Sequence, residues 1–121
     1  MARKPKGITA KLRAAKRRRQ QREDHEVYEQ VDLRDHQTSR VSGVFCGEAI
    51  HRHHIRHAGT RDTTTDNVIS LTPDEHLVQI HQEATLRLSG NADTCNSQGQ
   101  LCGVLVERRG ADDVWRVVKR C

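Results

Sequence analysis

Large apolar side chains are scarce in this sequence, and that scarcity limits the folds open to it. Apart from histidine, the aromatic residues are Tyr28, Phe45 and Trp115, and hydrophobic residues make up 34% of the 121 positions. A chain of this length suits one small domain plus a tail. With so few large side chains, such a domain is marginal unless a metal, helix caps or a partner stabilises it.

Neither a membrane nor a secretion route is indicated. No run in the sequence approaches the roughly 18 apolar residues that are needed to cross a bilayer. The N-terminus is basic, but no apolar stretch follows it, so it does not resemble a secretory signal. We therefore expect a cytoplasmic protein without a membrane partner.

Basic residues are concentrated at the N-terminus. Residues 1–22 hold ten of the 21 Lys and Arg residues and no acidic residue, whereas the other 99 residues carry a net charge of −5. Such a block is typical of an arm that follows a polyanion, although a solvated helix or a disordered tail has the same composition. The arm alone does not distinguish RNA, DNA and acidic protein. Its expected nucleic-acid contacts are Arg13, Lys16, Arg17, Arg18 and Arg19.

The arm is predicted to be partly helical. Residues 10–30 contain good helix formers and neither Gly nor Pro, which favours a helix over part of residues 1–30. The composition of residues 23–36 is mixed and acidic, and it predicts a junction to the body of the protein.

The four cysteines do not have the spacing of a metal site. Cys46, Cys95, Cys102 and Cys121 include no C-x-x-C pair, which argues against a four-thiolate zinc site. A disulfide framework is not expected without a secretory signal. We expect unbridged thiols, and a bridge between Cys95 and Cys102 stays open.

Histidines are concentrated in the middle of the chain. Residues 49–56 predict a short strand, and residues 44–48 predict a strand and tight turn before it. Residues 58–66 read as a polar loop, and residues 67–71 as a short apolar stretch. Six of the eight histidines lie between positions 51 and 81, namely His51, His53, His54, His57, His76 and His81.

Residues 72–75 carry the signal of a helix start. Thr72 can cap a helix, Pro73 suits the first helical position, and Glu75 completes a capping box. We predict a helix from Pro73 towards residues 86–88, ended by Ser89 and Gly90. Its inner face is expected to consist of Leu77, Ile80, Ala84 and either Leu86 or Leu88.

His76 falls in the first turn of that helix, beside the loop and strand that carry His53 and His54. Imidazole is a common ligand of borderline metals such as Zn, Ni and Cu, and sites of this kind can hydrolyse phosphodiesters. His51 shares a strand face with His53. It could support the metal site from behind a ligand or be an ordinary strand histidine, and we favour the second interpretation.

The order of these residues resembles the motif of the HNH endonuclease family. The pattern is His53-His54, then Asn67, then His76 with a further histidine at position 81. The segment V-D-L-R-D at residues 31–35 resembles one that often leads into that domain. The basic arm is similar to those of small phage-encoded members.

The resemblance covers roughly residues 31–85 and implies an α+β fold. Residues 31–90 would form a small ββα-metal (HNH) domain after a basic helical arm at residues 1–30. Residues 91–121 predict a polar loop and a C-terminal β-hairpin, because two β-branched runs flank a turn with Gly and Asp. Trp115 could anchor that hairpin on the body.

The resemblance also implies a role for each matching residue. His53 would bind the metal, His54 would be the general base, and Asn67 would hold the loop and orient the base. His76 and His81 would complete a site for one divalent metal ion, Mg, Mn, Ni or Zn. The arginines that could hold a substrate phosphate are Arg52, Arg56 and Arg61.

The activity implied is metal-dependent hydrolysis of DNA phosphodiester bonds, with double-stranded DNA as the first expectation because the family usually cleaves it. A phage origin would allow a partner in the packaging machinery. The rival from another class is a non-catalytic nucleic-acid-binding module with a structural metal or none. A virion assembly protein is disfavoured, because a large oligomeric interface needs more apolar surface. The oligomeric state is not readable from the sequence.

Two features depart from the family pattern. Many members bind a structural zinc through two C-x-x-C pairs, and the corresponding positions here are Ser39, Ser42, Thr72 and Glu75, so we expect no structural zinc. Helix ligands usually sit four residues apart, whereas His76 and His81 are five apart, about 140° around an ideal α-helix. Either a π-bulge or an early kink brings these two together, or His81 is not a ligand.

Overall fold

The computed structural model describes residues 6–56 and 62–121. Its first element is a 30-residue α-helix, α1, over Lys6–Asp35. The predicted helical arm is confirmed, but residues 23–35 continue the same helix instead of forming a junction. Good helix formers extend through the whole segment. The helix ends where His36 and Gln37 take positive φ values of 57° and 52°.

The last turn of α1 attaches the helix to the centre of the chain. Arg34 donates hydrogen bonds to the backbone oxygens of Thr65 and Val68, each at a distance of 2.6 Å. The carboxylate of Asp35 accepts the backbone N–H of Ser70 at 3.2 Å. The V-D-L-R-D segment therefore ends a helix and holds that helix against the chain that follows the polar loop.

Two short antiparallel strands follow α1. Strand β1 spans His51–His54 and strand β2 spans Val68–Leu71, with His51 opposite Leu71 and His54 opposite Val68. All four residues of β2 are buried. The strand predicted at residues 49–56 is confirmed in its centre, and the apolar stretch after the loop is its partner.

Of the strand and tight turn predicted at residues 44–48, the strand is wrong and the turn is confirmed. Phe45 makes only an isolated antiparallel bridge with Thr38, and Gly47–Ala49 forms a 3-10 turn. Gly47 has a φ of 58°, a left-handed conformation that glycine adopts at no steric cost and that ends an extended run. Phe45 is 70% exposed, so no buried face favours a strand here.

The next element is a π-helix over Asp74–Gln82. Its start follows the predicted capping box: the Thr72 hydroxyl accepts the N–H of Glu75 at 3.1 Å, and the Glu75 carboxylate accepts the N–H of Thr72 at 2.8 Å. The predicted end near residues 86–90 is wrong. Ala84 has a φ of 53°, which stops the helix and turns the chain into a strand.

The predicted inner face of that helix is also wrong in part. Leu77 is 52% exposed, whereas Ile80 packs against the core. Leu86 is buried in the core from a strand rather than from the helix. The winding of a π-helix differs from that of an α-helix, so positions three and four apart no longer share one face.

A three-stranded antiparallel sheet completes the fold. Its order is β3 (Leu86–Gly90), β4 (Val104–Arg109) and β5 (Trp115–Arg120). The predicted C-terminal hairpin is confirmed as β4 and β5, and β3 pairs with β4 along its whole length. The main core cluster consists of Val41, Ile69, Leu71, Leu86, Ala92, Val104, Val106 and Cys121.

The α+β expectation therefore holds at the level of one long helix and two antiparallel sheets. All four cysteines lie in the described ranges and carry thiols that form no disulfide, so Cys95 and Cys102 are not bridged. Burial raises the pKa of the Cys121 thiol. Within residues 6–56 and 62–121, no helix is long and apolar enough to traverse a lipid bilayer.

Candidate metal centre

Three imidazoles come together between β1 and the π-helix. His53 on β1, His76 in the first turn of the π-helix and His81 in its last turn each offer one nitrogen, and these nitrogens lie within 4.8 Å of one another. Their ring centroids are 4.9 to 5.9 Å apart. His53 is buried, His76 is half-buried and His81 is exposed, so the group opens to solvent on the side of His81.

The π-helix explains how histidines five residues apart share one site. In a π-helix each N–H bonds to the carbonyl five residues earlier, and the N–H of Glu83 reaches the carbonyl of Val78 at 2.7 Å. Residues five apart therefore stack on one side of the helix. The first of the two arrangements left open by the sequence is the one that forms, and His81 joins the group.

His51 contacts this group from β1. Its Nδ1 lies 3.0 Å from Nδ1 of His76, and the two rings meet edge-on with centroids 5.2 Å apart. The favoured interpretation of His51 as an ordinary strand histidine is therefore incomplete, and the contact agrees with the alternative of a group that supports the metal site. The alternation of strand residues, which places His51 and His53 on one face, was the available signal.

His54 points to the other face of β1. Adjacent strand residues alternate between faces, and the ring of His54 lies edge-on to Tyr28 of α1 with centroids 6.4 Å apart. Its Nε2 is 3.0 Å from the hydroxyl of Thr63. His54 is only 2% exposed, so α1 and the end of the polar loop cover the predicted general base.

Asn67 ties the two ends of the polar loop together. Its side-chain oxygen accepts the N–H of Arg56 at 2.8 Å. Its side-chain nitrogen donates to the carbonyls of Arg56 and Asp62 at 3.2 and 2.8 Å. These are the amide-to-backbone bonds expected of a residue that holds the loop, and they fix the chain two residues after His54.

The arginines expected to hold a phosphate are engaged within the protein. Arg56 donates to the carbonyl of Gly90 at 3.0 Å and to Asp66 at 3.2 Å. Arg52 donates to both carboxylate oxygens of Asp32 through Nε and Nη2, and its hydrogen bond to Asp32 raises the pKa of Arg52. Arg61 lies outside the described residues, as does His57.

The four positions that correspond to zinc-binding thiolates in the resembled family meet in space. The Ser39 hydroxyl donates to the Glu75 carboxylate at 2.6 Å and accepts the N–H groups of Val41 and Ser42, both at 3.1 Å. Glu75 is held in turn by its capping box with Thr72. A hydrogen-bonded cluster thus fixes the start of the π-helix against residues 39–42.

A groove of about 290 Å³ opens beside the three-histidine group. The contact between the C-terminal sheet and this region was not predicted, because residues 86–90 were assigned to the end of a helix. In the groove, Arg87 of β3 stacks on Trp115 with its guanidinium carbon 4.2 Å from the ring centroid. The lining residues are His53, Ile55, Ile80, His81, Ala84, Leu86, Arg87, Leu88 and Trp115.

The predicted contacts of the arm all lie on the exposed surface of α1. They begin about 14 Å along the helix axis from Tyr28, at 1.5 Å per residue, on the helix whose other end covers His54. The members of this set are Arg13, Lys16, Arg17, Arg18 and Arg19.

Comparisons with protein-family models, with curated proteins and with solved structures found no match to this chain.

Proposed function

We propose that this chain is a metal-dependent endonuclease of the HNH type, which hydrolyses DNA phosphodiester bonds on a ββα-metal domain. The observation that carries the proposal is the group formed by His53, His76 and His81. The sequence departed from the family pattern at the spacing of the last two residues, and the π-helix removes that difficulty.

The three-histidine group has the chemistry of a metal site. Zinc-bound nitrogens lie about 2.0–2.1 Å from the ion, which places two tetrahedral ligand atoms roughly 3.4 Å apart. The nitrogens, which lie within 4.8 Å of one another, therefore reach this spacing by small side-chain rotations. Neutral imidazoles suit Zn and Ni better than Mg. When bound, a divalent ion would neutralise charge on the phosphate and stabilise the leaving 3′ oxygen.

One further observation supports the same assignment. Asn67 holds the polar loop at both ends, which is the role that the resemblance gives it. The cluster of Ser39 with Glu75 remains a departure from the family pattern, because its hydrogen bonds occupy positions where many members bind a structural zinc.

His54 would act as the general base. A base must lie within hydrogen-bond reach of the proton it takes, and Nε2 of His54 already holds a hydroxyl, that of Thr63, at 3.0 Å. We propose that this hydroxyl marks the place of the attacking water. Transfer of a proton from that water to His54 would let the water oxygen attack phosphorus while the bond between phosphorus and the 3′ oxygen breaks.

A second candidate is a non-catalytic DNA-binding module, and the position of His54 favours it. The imidazole is covered and lies on the face of β1 opposite to His53. In that case the histidines bind a structural metal, and the basic arm supplies the affinity. This candidate makes the same DNA contacts and differs in chemistry alone.

Cleavage of supercoiled plasmid by the full chain separates the two candidates. We expect nicked or linear product with Zn, Ni, Mn or Mg in at least one set of reactions, and none with EDTA, at low salt where binding is strongest. A gel-shift assay in the same buffers reports binding. Binding without cleavage in every metal would leave the non-catalytic module, and the absence of both would contradict each candidate.

The arm is expected to supply affinity that depends steeply on salt. Each guanidinium that contacts a phosphate adds about 0.9 to the slope of log K against log salt concentration. Replacing Arg17, Arg18 and Arg19 by Gln should therefore flatten that slope by up to about 2.7.

Fluorescence anisotropy with a labelled duplex, measured from low to physiological salt, checks this prediction. Arg116→Gln is the control, because Arg116 is an exposed arginine in an ion pair with Asp112 on the C-terminal hairpin. An unchanged slope in the triple variant would show that the arm does not contact phosphates.

A further inference from the structure

His51 and His76 make a nitrogen-to-nitrogen contact whose consequences extend beyond the three-histidine group. The two Nδ1 atoms are 3.0 Å apart, within the usual range of a hydrogen bond. The residues come from different elements, β1 and the π-helix. His51 is half-buried, so its ring is held where the two elements meet.

Only one proton can occupy this contact. A neutral imidazole has one nitrogen that donates and one that accepts, so one Nδ1 carries the hydrogen and the other accepts it. If His51 donated, the proton of neutral His76 would sit on its Nε2 and neither nitrogen of His76 would be able to bind a metal. If His76 donates, its Nε2 carries the lone pair that a ligand needs.

We propose that His51 is a positioning residue that accepts the Nδ1–H of His76 and thereby fixes His76 as an Nε2 metal ligand. The inference rests on the metal site of the proposed function and not on nuclease activity. Among the described residues, the group that meets the 4.8 Å limit contains His53, His76 and His81 and excludes His51. His51 therefore contacts one candidate ligand, His76, and is not itself a member of the three-histidine group.

A hydrogen bond of this kind strengthens the binding of a metal by the histidine that donates it. Metal-binding histidines almost always donate their other N–H to a second group, which fixes the tautomer and the ring orientation. That group is commonly a carboxylate or a carbonyl, and here an imidazole takes its place. Loss of such a partner typically weakens metal binding by about 10–100-fold.

Two substitutions at one position test the inference. His51→Leu removes the acceptor, and we expect it to weaken Zn or Ni binding by about 10–100-fold. His51→Asn places an amide oxygen near the position of Nδ1, and we expect it to retain most of the affinity because that oxygen accepts the same N–H. His25→Leu is the control, since His25 pairs with Glu29 on the exposed surface of α1.

The affinity is measured on the full chain by competition with a chromophoric chelator, using Zn and Ni alone as probes. Circular dichroism of each metal-free variant confirms that it is folded. Long-range ¹H–¹⁵N correlation spectra provide a readout that is independent of activity. We expect the metal-free protein to show His76 protonated on Nδ1, and His51→Leu to lose that preference.

The possible results separate the inference from the proposed function. Affinity in His51→Leu equal to that of the wild type overturns the inference, and so does a His76 proton found on Nε2. Equal weakening by Leu and Asn also overturns it, because His51 would then bind the metal directly. Failure of the wild type to bind either ion overturns both. Metal binding that His51→Leu weakens and His51→Asn retains, without plasmid cleavage, contradicts the nuclease and supports the role of His51.

Discussion

His54→Ala is expected to lower the rate of plasmid cleavage by about 10²–10⁴-fold, the usual contribution of a general base. The same substitution should leave metal affinity unchanged, because His54 lies on the face of β1 opposite to His53 and contacts Tyr28 and Thr63 instead. Binding of DNA should also persist, since its main source is the exposed basic arm. The expected result is a protein that binds metal and DNA and does not cut.

A matched substitution in the metal group makes this result specific. His76→Ala should abolish both metal binding and cleavage, whereas His54→Ala should lower the rate of cleavage and leave metal binding intact. His54 is nearly fully buried, so His54→Gln serves as a second variant that retains volume and a polar group towards Thr63. Loss of a general base should lower the cleavage rate by at least about 10²-fold. If a folded His54 variant cleaves at a rate within about threefold of the wild type, the base is another residue.

Among the predictions for the site, the least accurate was the winding of the helix that carries His76 and His81. Residues 72–75 identified the helix start, because a capping box consists of local hydrogen bonds that residue identity specifies. The winding after that start depends on longer-range contacts. An α-helical period placed Leu77 inside, whereas Leu77 is exposed. For His81 the sequence left two arrangements open, and the π-helix brings this residue beside His76.

The strands show the same division between local and distant causes. Residues 67–71 were predicted only as an apolar stretch, because side-chain type alone does not tell a short buried strand from a buried helix segment. Their pairing with β1 makes residues 68–71 a strand. Strand β3 was missed because a short apolar run fits a buried helix end equally well. Only its pairing with β4 identifies it as a strand, and the paired residues lie 14 to 22 positions later in the chain.

Asp35 lies at the centre of the contacts that hold α1 to the rest of the fold. Its side chain is fully buried between Arg34 and Arg40, with ion-pair distances of 2.7 and 3.2 Å, and it accepts the backbone N–H of Ser70. Burial alone would raise the pKa of its carboxyl. The hydrogen bond and charge of Arg34, with the charge of Arg40, outweigh that effect and hold the pKa below its usual range.

Asp35→Ala is expected to reduce the free energy of unfolding by about 3–5 kcal/mol, the usual cost of removing one partner of a buried ion pair. Arg34 and Arg40 would then remain buried without their shared carboxylate, and the N–H of Ser70 would lose its acceptor. Urea unfolding in the presence of EDTA measures the change without a contribution from metal. Asp112→Ala is the control, because its exposed pair with Arg116 should contribute at most about 1 kcal/mol.

The pH dependence of unfolding tests the same carboxylate by its charge. A carboxyl whose pKa is lower in the folded protein than in the unfolded chain adds stability above the unfolded value of about 3.9, and that stability is lost as the pH falls through the folded value. As the pH falls below about 5, the wild type should therefore lose stability more steeply than Asp35→Asn, whose side chain does not titrate. Parallel curves would contradict the assignment of this ion pair as the anchor of α1.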